Sequence, residues 1–171
     1  MDVFEAIKKR KSIREYKADA VPEKSLEKIL EAGRFAPSAY NSQSWKFIVV
    51  KESETRKRLA EAANNQSFLA QAPLVIAAVA LDPDHEMPCG VPSYAVDLAI
   101  ALDHMALEAT EEGLGSCWIG AFQQEKAKEI LGVPRAFKIV ALLCVGFPAE
   151  PGREKSRKSA DEVVCFEKFL P

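Results

Sequence analysis

The chain has 171 residues, 48% of them apolar, and its 23 Lys plus Arg against 25 Asp plus Glu give a formal charge of -2 at pH 7. That length suits one domain able to withdraw about 70% of its unfolded surface from water, and the balanced charge excludes bulk attraction to a polyanion such as nucleic acid. The longest apolar run, Leu74 to Leu81, falls short of the roughly 20 residues that span a bilayer, and the N-terminal stretch lacks a signal-peptide pattern, so a cytoplasmic protein with no membrane partner is expected.

Asp2 and Glu5 stand at the spacing of a capping box, opening a first helix with an apolar stripe of Val3, Phe4 and Ile7. It leads into "KRKSIREY", where Lys9, Arg10, Lys11 and Arg14 surround Ser12. A second helix is expected from Pro22, whose fixed φ suits a first helical position, through Leu26, Ile29 and Leu30 to the barrier at Pro37. The stretch "APSAYNSQSW" reads as loop, "WKFIVVK" as a strand, and Ser53 to Ala63 as a polar helix with Leu59 turned inward. After a helical turn near Phe68, "LVIAAVAL" is apolar at every position, as is most of "FKIVALLCVG". Both fit strands covered on two faces. Between them come a polar loop, "DPDHEMPCGVP", and the longest helix, Ser93 to Glu112, with Gly113 as its stop. A short helix from Gln124 to Leu131 ends at Gly132. The tail from Pro148 is polar and basic until "DEVVCF", and Val163 to Phe166 need a surface to cover them. Helices and strands that do not strictly alternate indicate an α+β fold, a mixed sheet covered by helices.

Candidate chemistry is scattered. Guanidinium, ammonium and hydroxyl groups on Arg10, Lys11, Ser12 and Arg14 suit a phosphate, and Arg10 and Arg14 share one side if the chain stays helical there. A second basic group, Arg153, Lys155, Arg157 and Lys158, lies in the tail, so two distant segments could close on one dianion. Such runs are also common on solvated faces. "GLGSCWIG" follows a helix and spaces its glycines wrongly for a dinucleotide fingerprint; it is either a turn that brings backbone N–H groups to a planar ligand or a helix stop before an edge strand. Cys89, Cys117, Cys144 and Cys165 form no C-x-x-C pair, which speaks against a structural zinc site. Cys144 reads as a buried hydrophobe, and Cys117 as either that or a reactive thiol. Asp82, Asp84, His85, Glu86 and Cys89 are capable ligands without a metal spacing, and their loop reads better as a substrate lid. His104, alone in the long helix, is left unassigned.

Taken in order, "RKSIREY", "ILEAGRFAPSAYNSQSW", "GLGSCWIGAF" before "EILGVP", "IVALLCVGFPAE" and "KSRKSADEVV" resemble the nitroreductase family of FMN-dependent oxidoreductases over nearly the whole chain. The resemblance implies a nitroreductase-like homodimer in which the C-terminal extension, about residues 148–171, embraces the partner subunit. It implies FMN at the subunit interface, with NADH or NADPH as reductant and a nitroaromatic, quinone or similar acceptor served by a ping-pong mechanism. Arg10, Lys11, Ser12, Arg14, Lys155 and Arg157 would bind the FMN phosphate and ribityl chain. Asn41 would hydrogen-bond the flavin, reaching across from the other subunit, with Ser38 in the same loop. Trp118, Ile119, Gly120 and Ala121 match the segment whose backbone N–H, best supplied by Gly120, approaches flavin N5. No catalytic acid or base is implied, because the cofactor carries the chemistry.

Two loop positions depart from the family pattern: Ser44 replaces a proline before the tryptophan, and Tyr40 a common glycine before the asparagine. "CWIGAF" also lacks the acidic residue that larger members carry in the N5 turn, and their extra helical excursion has no counterpart here. Relatives of this architecture that fragment flavin or remove halogens keep a second reaction class open. A nucleic-acid-binding module using the basic ends is the alternative of another kind.

Overall fold

The computed structural model describes residues 1–169; Leu170 and Pro171, the last two positions of the expected C-terminal extension, lie outside the described residues. Seven α-helices and four strands follow the chain as α1 (Val3–Lys9), α2 (Glu23–Arg34), β1 (Trp45–Val50), α3 (Ser53–Ala62), α4 (Ser67–Gln71), β2 (Leu74–Ala80), α5 (Ser93–Glu111), β3 (Gly115–Ile119), α6 (Gln124–Leu131), β4 (Lys138–Gly146) and α7 (Ala160–Val163). The sheet order is β1-β2-β4-β3, with every neighbouring pair antiparallel. Its parallel component is a single bridge, Ser12 to Ser116.

The uninterrupted apolar character of β2 has a direct cause. Val75, Ala77 and Val79 pack into one cluster with Leu59 of α3, Leu69 of α4 and Ala127 of α6. Leu74, Ile76, Ala78 and Ala80 face the opposite cluster with Ile29 of α2 and Leu98, Leu102 and Met105 of α5. Strand β4 follows the same two-faced rule, and a bulge opposite Ala78 and Val79 shifts its parity. Ile139 and Leu142 therefore share a face although three positions apart.

Local chemistry sets the boundaries. The capping box of α1 forms as its spacing predicts, with Glu5 N–H donating to Asp2 Oδ1 at 2.8 Å. Its apolar stripe, however, faces outward in the single chain: Val3, Phe4 and Ile7 are exposed and only Ala6 is buried. Pro22 sits one place earlier than expected, as the N-cap of α2. Gly132 closes α6 in the left-handed conformation, where a side chain would be strained. Helix α7 was not foreseen; Ser159 and Glu162 cap it reciprocally, and Val163, Val164 and Phe166 around it are exposed.

Candidate flavin and anion site

Helix α1 stops at Lys9, and Arg10 already has extended backbone. The helical pairing of Arg10 with Arg14 is thereby corrected: Ile13 N–H donates to Ser116 O at 2.9 Å, tying this segment to β3 as an extended strip. Two-residue alternation then sets Arg10, Ser12 and Arg14 on one side and Lys11 and Ile13 on the other. Farther along, Lys17 N–H reaches Phe147 O and Ala149 N–H reaches Glu15 O, each at 2.9 Å. The strip thus runs between β3 and the chain leaving β4. The Tyr16 hydroxyl donates to Ile13 O at 2.8 Å, and burial pushes that phenol well above its ordinary range.

Gly152 brings the tail onto the strip. It has a φ of +69°, and a Cβ there would lie 2.9 Å from Ile13 Cδ1 and 3.4 Å from Lys11 Cβ, so both backbone sign and clearance call for glycine. Beyond it, Lys11 Nζ pairs with Glu154 at 2.7 Å and Lys155 Nζ donates to Ile7 O at 2.9 Å. Arg10, Lys155 and Arg157 line one cavity of about 410 Å³ together with Asp103 and Leu107 of α5. Ser12, Arg14 and Arg153 line a second, of about 260 Å³, with Glu15 and Glu150.

Charge is unbalanced here. Among the described residues Arg10, Arg14, Arg153 and Arg157 have no carboxylate within ion-pair distance, while Arg14 lies 5.9 Å from the centre of the Phe68 ring. Lys155 is held below its ordinary pKa by desolvation first, and then by the positive charges of Arg10, Arg157 and Lys11. Converging cations that outnumber the nearby carboxylates fit an anion such as a phosphate.

The neighbouring edge offers a different kind of donor. Trp118 and Ile119 belong to β3 itself, not to a turn, and pair with Leu143 and Leu142; Gly120 and Ala121 follow the strand. Strand β3 is outermost, and beyond Ser116 its outer backbone edge has no strand partner among the described residues. Trp118 is exposed, and a Cβ on Gly120 would meet nothing. From Ser116 to Gly120 is about 13 Å along an extended chain. An elongated ligand with an anionic head at Ser12 and a flat ring at Gly120 matches that spacing. Cys117 is buried beneath; desolvation raises its thiol pKa, with Arg14 and Arg10 pulling it partly back. It is a packed side chain, not an activated nucleophile.

Ser38 and Asn41 lie elsewhere. Their loop docks on α5 where Ala39 N–H donates to buried Asp97 at 3.1 Å, and Ser38 Oγ accepts from Gln43 N–H at 3.0 Å. Asp97 is six and ten residues from Asp103 and Leu107 of the basic cavity, about 9 to 15 Å along the helix axis. Among the described residues no hydrogen bond joins this loop to the Ser12 strip within one chain.

Sequence reasoning passed over the polar pair on α5. Ser93 and Asp97, four residues apart on a helix with an apolar core face, are both buried. Ser93 Oγ lies 3.1 Å from His85 Nδ1, so the pair fastens two loops, one through His85 and one through Ala39. Their spacing was the available signal. The "DPDHEMPCGVP" loop is tied to itself by Met87 N–H to Val91 O at 2.9 Å and a Glu86 to Pro92 bridge. Among the described residues no group of three or more His, Cys, Asp or Glu is placed to hold a metal ion, and no helix is long and apolar enough to cross a membrane.

The chain is similar to known proteins over most of its length. A family model described as "Nitroreductase family" matches residues 7–80 and 61–147. A Methanothermobacter thermautotrophicus protein named "Putative NADH dehydrogenase/NAD(P)H nitroreductase" is 37% identical, over 89% of this chain and 81% of its own. A Thermus thermophilus "NADH dehydrogenase" is 33% identical over 97% and 96% of the two chains. Among solved structures, an "FMN-dependent Nitroreductase" of Clostridium difficile R20291 superposes with a TM-score of 0.83 at 31% identity, covering 96% of this chain and 98% of the other.

Proposed function

The chain belongs to the nitroreductase family, and from that premise we propose that it is an FMN-dependent oxidoreductase passing hydride from NAD(P)H to an oxidised acceptor such as a nitroaromatic or quinone. The relatives named FMN reductase, NADPH nitroreductase and NADPH-flavin oxidoreductase support the activity. The observation that carries the cofactor is the cluster of Arg10, Lys155 and Arg157, three cations against the single carboxylate of Asp103 in their cavity, on the strip that joins the open edge of β3 at Ser12.

Arg10, Lys155 and Arg157 hold the phosphate, while Lys11, Ser12 and Arg14 line its approach and the ribityl chain. Trp118, Ile119, Gly120 and Ala121 present backbone toward the ring, and Gly120 leaves the clearance that close approach requires. When bound, FMN supplies N5 as the hydride acceptor and donor. Backbone N–H groups on the β3 edge near Gly120 would be the donors available to the ring, and donors so placed would favour negative charge developing on it. One stacking place used in turn by coenzyme and acceptor gives ping-pong kinetics.

Asn41 and Ser38 complete the site from a second copy. That is why they stand apart from the Ser12 strip within one chain. The exposed apolar side chains of α1 and of Val163 to Phe166 support a homodimer in which the segment from about residue 148 embraces its partner, and the whole chain works as one FMN-binding unit. Its compartment is the cytoplasm, consistent with the wide spacing of its cysteines.

The test is the visible spectrum of the purified protein, with the chromophore released and identified and NADH added without oxygen. Bound FMN that bleaches is the expected result. Colourless protein that takes up no added FMN would overturn the assignment.

A further inference from the structure

We propose that Tyr40, backed by His85, forms one wall of the acceptor site and biases it toward planar acceptors that stack; this rests on the flavin reading above. Tyr40 is 82% exposed, an unusual place for a large ring. It also sits at φ +53°, ψ +22°, with Asn41 at +54° and Gln43 at +49°. Three residues with side chains in the left-handed region within four positions form strained backbone, and nothing in the packing of this chain requires the Tyr40 ring to be where it is.

Two buried anchors hold its surroundings nonetheless. Asp97 holds Ala39, the residue before Tyr40, and Ser93, one turn earlier on α5, holds His85. The Tyr40 and His85 rings come to 6.3 Å between centroids, tilted by 43°, within the range of favourable aromatic contact. Along residues 82–87 exposure alternates. Pro83, His85 and Met87 turn inward, while Asp82, Asp84 and Glu86 face solvent. The loop's carboxylates therefore stand on the side away from His85, and the surface that the Tyr40 and His85 rings present to an acceptor is aromatic. Adjacent Cα atoms are about 3.8 Å apart, so if Asn41 touches the flavin, the neighbouring Tyr40 side chain reaches whatever stacks upon it.

The test compares wild type with Tyr40→Gly, which also relieves the strained backbone, and Tyr40→Phe, which keeps the ring. FMN affinity is measured first by quenching of flavin fluorescence. Then kcat/KM is determined for menadione, a neutral planar quinone, and for ferricyanide, which does not stack, and the Kd of benzamide is read from perturbation of the bound flavin spectrum. Tyr40→Gly should lose about three- to tenfold for menadione and for benzamide, the range expected of one aromatic contact, with ferricyanide changed less than twofold and FMN still bound. Tyr40→Phe should match wild type. Tyr40→Gly that holds FMN and keeps the wild-type ratio of menadione to ferricyanide, or wild-type benzamide binding, would overturn the wall alone. Wild-type protein that binds no FMN would overturn the flavin reading and the wall with it.

Discussion

Replacing Lys155 with Met removes one cation from the Arg10, Lys155 and Arg157 cavity while keeping most of the side chain's length. A charge-assisted hydrogen bond is worth about 1.5 to 3 kcal/mol, and because this cavity is open to solvent the lower end applies, about tenfold in Kd. Lys155 also donates to Ile7 O in the last turn of α1, so part of any loss could come from fraying of that turn. Riboflavin separates the two causes because it has the ring and ribityl chain without the phosphate. Fluorescence titration of FMN and riboflavin, each at low and high salt, should show Lys155→Met weakening FMN about tenfold and riboflavin less than twofold, with a shallower salt dependence for FMN alone. Equal weakening of both ligands, or none, would refute the phosphate assignment.

Gly152→Ala forces a side chain into φ +69° and against Ile13, which should cost about 1 to 2 kcal/mol and weaken FMN binding as well, since the turn delivers Lys155. Thermal melts with and without FMN check both. Gly33→Ala tests opposing terms where α2 meets α5. Alanine gains about 1 kcal/mol of helix propensity, but its Cβ would lie 2.1 Å from Met105 Cε and 2.9 Å from Cγ, beside a fully buried side chain, and overpacking costs about 1 to 3 kcal/mol. Net destabilisation is expected; a raised Tm would mean that Met105 repacks freely. Glu112 is held below its ordinary pKa of 4.5 by Lys28 and then by Ser25. Its contribution is therefore complete above pH 4.5 and lost as pH falls through the lower folded value. Glu112→Gln should lower Tm at pH 7 and converge on wild type in acid, whereas a pH-independent difference would exclude the ion pair as cause.

Much of the fold could be read from the residues because each signal was local. Asp2 with Glu5, Gly113 after the long helix and Gly132 after α6 place element ends through backbone chemistry that acts within a turn. The all-apolar β2 announced burial on two faces in the same way. The Ser12 strip was harder, since its basic residues are as compatible with helix as with strand. What decides is Ser116, 103 positions beyond Ile13, whose N–H it takes up. Whether "GLGSCWIG" makes a turn or an edge strand stayed open for a related reason: glycines flank a strand whose partner, β4, comes later in the chain. The Ser93 and Asp97 pair was visible in spacing but mute about purpose until the two loops it holds could be seen.

The contacts that build the anion cavity join residues far apart in sequence: Lys11 with Glu154 across 143 positions, and Ile7 with Lys155 across 148. During synthesis the N-terminal cations leave the ribosome first, and they have no tail to close against until translation has passed Arg157. Without the tail, Arg10 would stand alone where Lys155 and Arg157 now join it, and the cavity they line together would not exist.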